Sequence, residues 1–509
     1  MHSRRDAVKT LAGVAIAAPF LHLRPARAAD AQSITLAYPA DVPSWDPIAA
    51  SSLLTISLFK CVFDKPMNIM PDLSFGPSVV SGYKFLDNAG KILELEFRPG
   101  VTFHNGDPLT ADDFKFTFFD RLKADNTLTL NGSWSIINKV EVPSPLKAIV
   151  HFDIPFVTAP QLMADSSAYI MPRAYFEKVG RAGFMEKPIG SGPYRVVDYQ
   201  RDSRIVLEAY DKHWAGPAKI KNVTFQIIKD TSARIAAVQS GQVDFAHNLP
   251  VREVSRLGAI AGLAGSLHTI NNVVLIHMVN KGIYQDRNLR LAMHHAIDKD
   301  TLLKAFFGGQ GEALSMWSGV GMPANDPTYK FPYDQAKAKA LLAASGYGPD
   351  KPAKIEFTTF NGVFPNDFDL SRAIVQMWKN VGIDANLSVM EITKYAEMAR
   401  NDRLEAPVLG SWFNASGDPN VYSGTILDPN KRFAVWRSND IPPRLDPLLV
   451  EVDYAKRIAG YKEFDKWAIE QGYAVPLLQG TATVVHAKRV NYVPFKNGWI
   501  LPYYWTATA

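Results

Sequence analysis

Two Ser-x-x-Lys tetrads, Ser57 to Lys60 and Ser144 to Lys147, put a hydroxyl and an amine one helical turn apart. That is the spacing by which a lysine activates a serine for acyl transfer. Neither tetrad has a Lys-Thr-Gly tripeptide downstream to complete such a site, and two occurrences in one chain mark the pattern as cheap. The chain contains no Gly-x-Ser-x-Gly elbow, no His-Glu-x-x-His pair and no Gly-x-Gly-x-x-Gly fingerprint. Gly308-Gly309-Gln310-Gly311 lacks the Gly-Lys-Ser/Thr ending of a phosphate loop. His294 and His295 are neighbours on a predicted helix, so they point about 100° apart and cannot face one ion. One should pack and the other should be exposed. His104, His151, His213, His247, His268, His277 and His486 are scattered without ligand spacing. Cys61, the single cysteine, stands beside Val62 and Phe63 and reads as a buried apolar residue. No catalytic set, metal site or cofactor is expected.

The elements that would position any site alternate between strand and helix patterns. Strands are predicted over 33–38, 92–97, 204–209 and 223–228. Thr110-Ala111-Asp112-Asp113 is an N-cap with an acidic N3 residue, and it opens a helix through about Leu122. Further helices are predicted over 287–306 (with a break at 298–300), 334–345, 367–381 and 453–471. Gly346 stops the helix over 334–345. The fold class is α/β with more than one lobe. No Pro/Gly-rich linker separates the lobes, so the chain is expected to cross between them several times.

Apolar residues make up 47% of the 509-residue chain and charged ones 21%, which is globular. A lone cysteine excludes an internal disulfide. Five of the 55 basic residues and one of the 50 acidic ones fall in residues 1–28, so the remaining body is nearly neutral. A neutral body has no electrostatic footprint for a phosphate backbone, and nucleic acid is set aside. Residues 1–28 read as a secretion signal. It has a basic opening at Ser3-Arg4-Arg5, an apolar stretch from Leu11 to Leu23, and a small-x-small site at Ala26-Arg27-Ala28. Ser3-Arg4-Arg5-Asp6-Ala7-Val8-Lys9 resembles a twin-arginine (Tat) export motif, with Ala7 where Phe is usual. A soluble periplasmic protein is expected.

The run Leu-Glu-Phe-Arg-Pro-Gly-Val-Thr-Phe-His-Asn-Gly-Asp-Pro-Leu-Thr-Ala-Asp-Asp-Phe at 95–114 closely resembles the signature of the family 5 extracellular solute-binding proteins, the large periplasmic receptors of ABC importers. Further stations match in order. They are Ser44-Trp45-Asp46-Pro47, the Pro188 to Tyr194 turn, Ser240-Gly241-Gln242-Val243-Asp244, the Asn288 to Lys299 helix and the Asp334 to Gly346 helix. The resemblance implies a Venus-flytrap fold of periplasmic-binding-protein type II. Lobe I would comprise 29–58, 188–275 and 478–509. An extra domain would insert at 59–187, and lobe III would span 276–477. It implies no enzyme and no cofactor. The partners would be a peptide-like or other small organic solute and an ABC permease, and the receptor would be a monomer. A nickel- or haem-chelate receptor of the same fold is the alternative, and a secreted hydrolase that kept the fold is a more distant one.

Trp412-Phe413-Asn414-Ala415-Ser416-Gly417-Asp418-Pro419 is similar to the family's specificity segment. In the peptide receptors an Asp there pairs with the peptide's ammonium, and the aligned residue here is Ala415. An uncompensated buried ammonium is costly, so peptides with free N-termini are expected to bind poorly. The ligand-binding candidates are Trp412, Asn414, Asp418, Tyr38, Trp436, Arg437 and Trp317. Asp418 has a competing reading, as the cap of the turn before Pro419.

Overall fold

Leu263–His277 and Ala474–Ala487 are strands of 15 and 14 residues, more than twice the usual length. They pair antiparallel from Leu263 opposite Ala487 to His277 opposite Ala474, with a register shift between Thr269 and Val273. The two ends of this ribbon lie in different hydrophobic cores. Leu263 and Val485 pack with Val254 and Leu257, whereas Val273 to Ile276 and Val475 pack with Leu289, Trp378 and Phe464. The computed structural model describes residues 32–49, 53–164, 168–414, 416–431 and 433–509. The leader at 1–28 and Ala415 lie outside the described residues.

Among the described residues the ribbon is the middle of an 11-stranded sheet. On one side stand Phe245–His247, Ser33–Tyr38, Asn222–Ile227, Arg204–Ala209 and Tyr194–Gln200, and on the other Val408–Phe413, Ala353–Thr359 and Ile383–Val389, while the two-residue strand Glu312–Ala313 pairs on Ala474–Ala487. Each wing has parallel pairs, Ser33–Tyr38 beside Asn222–Ile227 and Ala353–Thr359 beside Ile383–Val389. Asp367–Lys379 is the crossover helix of the second pair and packs on both strands. A separate antiparallel sheet has the order Val80–Phe85, Ile92–Phe97, Lys147–Phe152, Ile137–Ser144. Among the described residues no helix is long and apolar enough to cross a membrane.

The sequence motifs act as joints. Thr110 and Asp113 form a reciprocal capping box over Ala111–Lys115, and the helical course continues through a wider turn at Phe116–Asp120 to Arg121–Ala124. On it Phe114 stacks on Phe118 with ring centroids 4.5 Å apart, both fully buried. Asp46 takes a two-point contact from Arg121 at 3.0 and 2.7 Å in the interior. Asp244 accepts the Thr35 N–H at 2.8 Å and the Arg489 Nε–H at 2.9 Å, pinning the first strand to the last segment. Arg290 donates to the carbonyls of Tyr284, Gln285 and Gln471, so a buried guanidinium ties the turn Gly282–Gln285 to the end of the helix Tyr454–Glu470 through carbonyls. Asp298 breaks the 287–307 helical region by capping Lys299–Phe307. His294 is buried and His295 half-buried. Cys61 is free and buried.

The turn Pro188 to Tyr194 holds glycines because the backbone of Val62 passes directly over it. The Gly192 N–H donates to the Val62 carbonyl at 2.9 Å. A Cβ on Gly190 would sit 2.0 Å from the same oxygen. Neither chain segment can withdraw without opening the core. Gly190→Ala is therefore expected to cost about 3 kcal/mol or more, read as a lower urea midpoint with an unchanged slope.

Candidate functional site

Val408–Phe413 runs antiparallel to the ribbon where the two cores meet, with Trp412 opposite Val273 and Phe413 opposite Asn272. Successive strand side chains leave on opposite faces. Phe413 accordingly packs against a first core, which holds Leu36, Phe225 and Val484 and is distinct from the small cluster at Leu263, and Trp412 packs against a second, that of Leu289, Trp378 and Phe464. Trp412 enters an aromatic layer, with ring centroids 5.8 Å from Tyr422, 6.4 Å from Phe433 and 6.4 Å from His277. Tyr395, from the helix Ile392–Arg400, joins the same layer 6.0 Å from Phe433 and 6.4 Å from His277. Burial pushes His277 down to about 4, so its ring is uncharged at neutral pH. Burial likewise raises the Tyr395 and Tyr422 phenols above their ordinary value. The layer is thus uncharged, and it contains two buried polar atoms, Trp412 Nε1 and the Tyr395 hydroxyl, without a partner among the described residues.

The turn after Trp412 is held by its own polar groups. Asn414 Nδ2 donates to the Asp418 carbonyl at 2.8 Å, and its Oδ1 accepts from the Gly417 N–H at 2.9 Å and the Ser416 hydroxyl at 3.1 Å. Asn271 Nδ2 donates to the Asn414 carbonyl at 2.5 Å, joining the turn to the ribbon's irregular stretch. Asp418 accepts from Arg457 at 2.9 and 2.6 Å and from the Asn420 N–H at 3.0 Å, so it caps Pro419–Val421 and forms a buried ion pair at once. Its carboxylate is committed inside the protein.

The other candidates lie apart. Tyr38 ends its strand in the first core, with its ring 5.2 Å from both Phe225 and His247. Trp436 stacks on Tyr473 at 4.5 Å beneath the Arg290 guanidinium. Arg437 donates to the Pro429 carbonyl at 2.5 Å and stands 3.6 Å from Asp402. Trp317 meets the aromatic layer through Tyr422, 5.1 Å away, and its Nε1–H donates to Ser423 at 3.1 Å. The structure therefore joins Trp412, Trp317, Asn414 and Asp418 around one turn and leaves Tyr38, Trp436 and Arg437 elsewhere. His277, Tyr395, Tyr422 and Phe433 were not singled out from the sequence. Only Tyr422, next to the specificity segment, carried a local signal.

Beneath the layer, Asp465 is fully buried. The Ser423 and Ser318 hydroxyls donate to its two oxygens at 2.7 and 2.9 Å. Burial outweighs these bonds and pushes the carboxyl up to about 7. Among the described residues no group of three or more His, Cys, Asp or Glu could hold a metal ion.

Residues 76–433 match the family described as bacterial extracellular solute-binding proteins, family 5. The chain is 26% identical over 429 residues to the dipeptide-binding protein of Escherichia coli (strain K12), covering 77% of this chain and 78% of that protein. It is 24% identical over 490 residues to the glutathione-binding protein GsiB of Salmonella paratyphi A, covering 93% of each. Its fold superposes on HbpA2 of Haemophilus parasuis with a TM-score of 0.84 at 19% identity, covering 94% of this chain and 100% of that one. A single segment matched over most of the chain, together with a type II periplasmic-binding fold, defines a solute-binding receptor. The chain belongs to family 5 of the bacterial extracellular solute-binding proteins.

The buried acid sets a pH dependence. Asp465 rises from an ordinary 3.8 to about 7 in the folded protein. Between those values the folded state keeps a proton that the unfolded chain has released. Its contribution is favourable below about pH 4 and is lost as pH rises to about 7, by up to about 4 kcal/mol. Asp465→Asn should remove that slope. Chemical unfolding at pH 5 and pH 7.5 should show the wild type losing stability relative to the variant.

Proposed function

We propose that the chain is the periplasmic capture subunit of an ABC importer, and that it closes two lobes on a peptide-like or other small organic solute and presents the closed form to a membrane permease. The observation that carries this reading is the placement of Trp412 and Phe413. Adjacent residues of one strand feed the two cores at the seam where the long ribbon crosses. Closure is a population shift driven by contacts that exist only when solute touches both lobes. The division into 29–58, 188–275 and 478–509, with 59–187 inserted and 276–477 opposite, is part of the proposal. So are export by the Tat-like leader and a monomeric receptor.

The named relatives bind a dipeptide and glutathione. For this chain we favour a solute without a free ammonium at the specificity segment. Position 415 is alanine. The nearest acid, Asp418, is already neutralised by Arg457. Native mass spectrometry of the mature protein, isolated undenatured from its own periplasm, tests this. A single discrete mass increment, lacking a free α-amine on fragmentation, is the expected result. A heterogeneous envelope of ordinary peptides would overturn the solute class. Turnover of the bound solute into product would overturn the receptor reading in favour of a hydrolase.

A further inference from the structure

The aromatic layer has a polarity that its apolar walls conceal. Trp412 Nε1 can only donate, and the Tyr395 hydroxyl is free to donate. Both atoms are buried without a partner among the described residues. Tyr395 is only 7% exposed, so its hydroxyl is more than nine-tenths removed from water. Leaving such a group unmatched is costly, and native proteins rarely do so without a reason. Trp45, Trp436, Trp499 and Trp505 also carry unmatched indole N–H groups, but each of those side chains is sealed in a core. Trp412 is only partly buried and stands at the seam between cores.

The two groups belong to one place. Each ring packs against both Phe433 and His277. The carboxyl beneath them, Asp465, is taken up by the Ser318 and Ser423 hydroxyls. The Arg400 guanidinium stands 5.8 Å from the centre of the Phe433 ring. His277 is neutral, and Asp418 is neutralised by Arg457. A layer offering two donors and a nearby cation, with no available carboxylate, complements a hydrogen-bond acceptor.

Resting on the receptor reading above, we infer that Trp412 and Tyr395 are the specificity-determining pair, and that the solute group they read is an acceptor oxygen of a carbonyl or carboxylate rather than an ammonium. The segment that greets a cation in the peptide receptors is here inverted in polarity. Phe433 and His277 supply the apolar walls, which exclude water and strengthen both bonds.

The test separates a recognition role from a structural one. Wild type, Tyr395→Phe and Trp412→Phe are stripped of solute. Each is then equilibrated with a small-molecule extract of its own periplasm, and native mass spectrometry reads occupancy while thermal unfolding of the stripped proteins reads stability. Deleting an unmatched hydroxyl should leave the stripped Tyr395→Phe as stable as wild type or more so, while its solute affinity falls about tenfold. Trp412→Phe should lose about tenfold as well. Unchanged occupancy in both variants would overturn the inference and leave the receptor reading standing. A parallel loss of stability and occupancy in Tyr395→Phe would show a structural hydroxyl and also overturn it. A wild type that takes up no solute from the extract would remove the receptor reading, and the inference with it.

Discussion

The antiparallel pairing of Leu263–His277 with Ala474–Ala487 is the constraint on which the rest of the molecule depends. Backbone N–H and C=O groups removed from water must be paired, and the ladder pairs them on both sides of the seam between cores. Its register shift between Thr269 and Val273 frees a short stretch from that ladder. Asn271 uses the freedom to reach the turn after Trp412, its Nδ2 donating to the Asn414 carbonyl and its own carbonyl accepting the Asn414 N–H at 3.1 Å. The turn is thereby attached to the ribbon that runs between the cores.

The charged residues of the recognised motifs serve this architecture. Asp46 with Arg121, Asp244 with Arg489 and Asp418 with Arg457 each join segments far apart in the chain. The Asp46 and Asp418 pairs are buried, and removing one partner of such a pair strands a charge in a low dielectric, so both partners are constrained together. Asp418 shows the consequence for recognition. The same carboxylate cannot hold Arg457, cap Pro419–Val421 and bind a ligand cation, because its acceptor positions are already directed inward.

In the proposed reading, recognition is left to weaker and more adjustable groups. An aromatic layer presents broad apolar area with few polar atoms, which is the usual make-up of a small-molecule site. Its hydroxyl, indole and imidazole groups are all uncharged at neutral pH. The ionisable group nearest in kind, Asp465, lies beneath the layer and holds Ser318 and Ser423 in place. It acts on the site through position, by fixing the loops that carry Trp317 and Tyr422.

The elements were legible because their signals are local. The capping box at Thr110 and Asp113, the break at Asp298, the stop at Gly346 and the alternation of Ser33–Tyr38 each depend on residues within a few positions of one another. The family resemblance was legible for a related reason, since its stations are joints whose geometry admits few residues, as Gly190 beneath Val62 illustrates. The partners of those joints were not legible. Nothing in the neighbourhood of Asp418 points to Arg457, nor of Trp412 to Tyr395 or His277, because these contacts are made between segments the ribbon brings together. By itself the sequence determined the elements, their order and the family to which they belong. Only the tertiary structure decided which acid is neutralised and which donors are left unmatched, because hydrogen-bond satisfaction is a property of the packed neighbourhood and not of the residue.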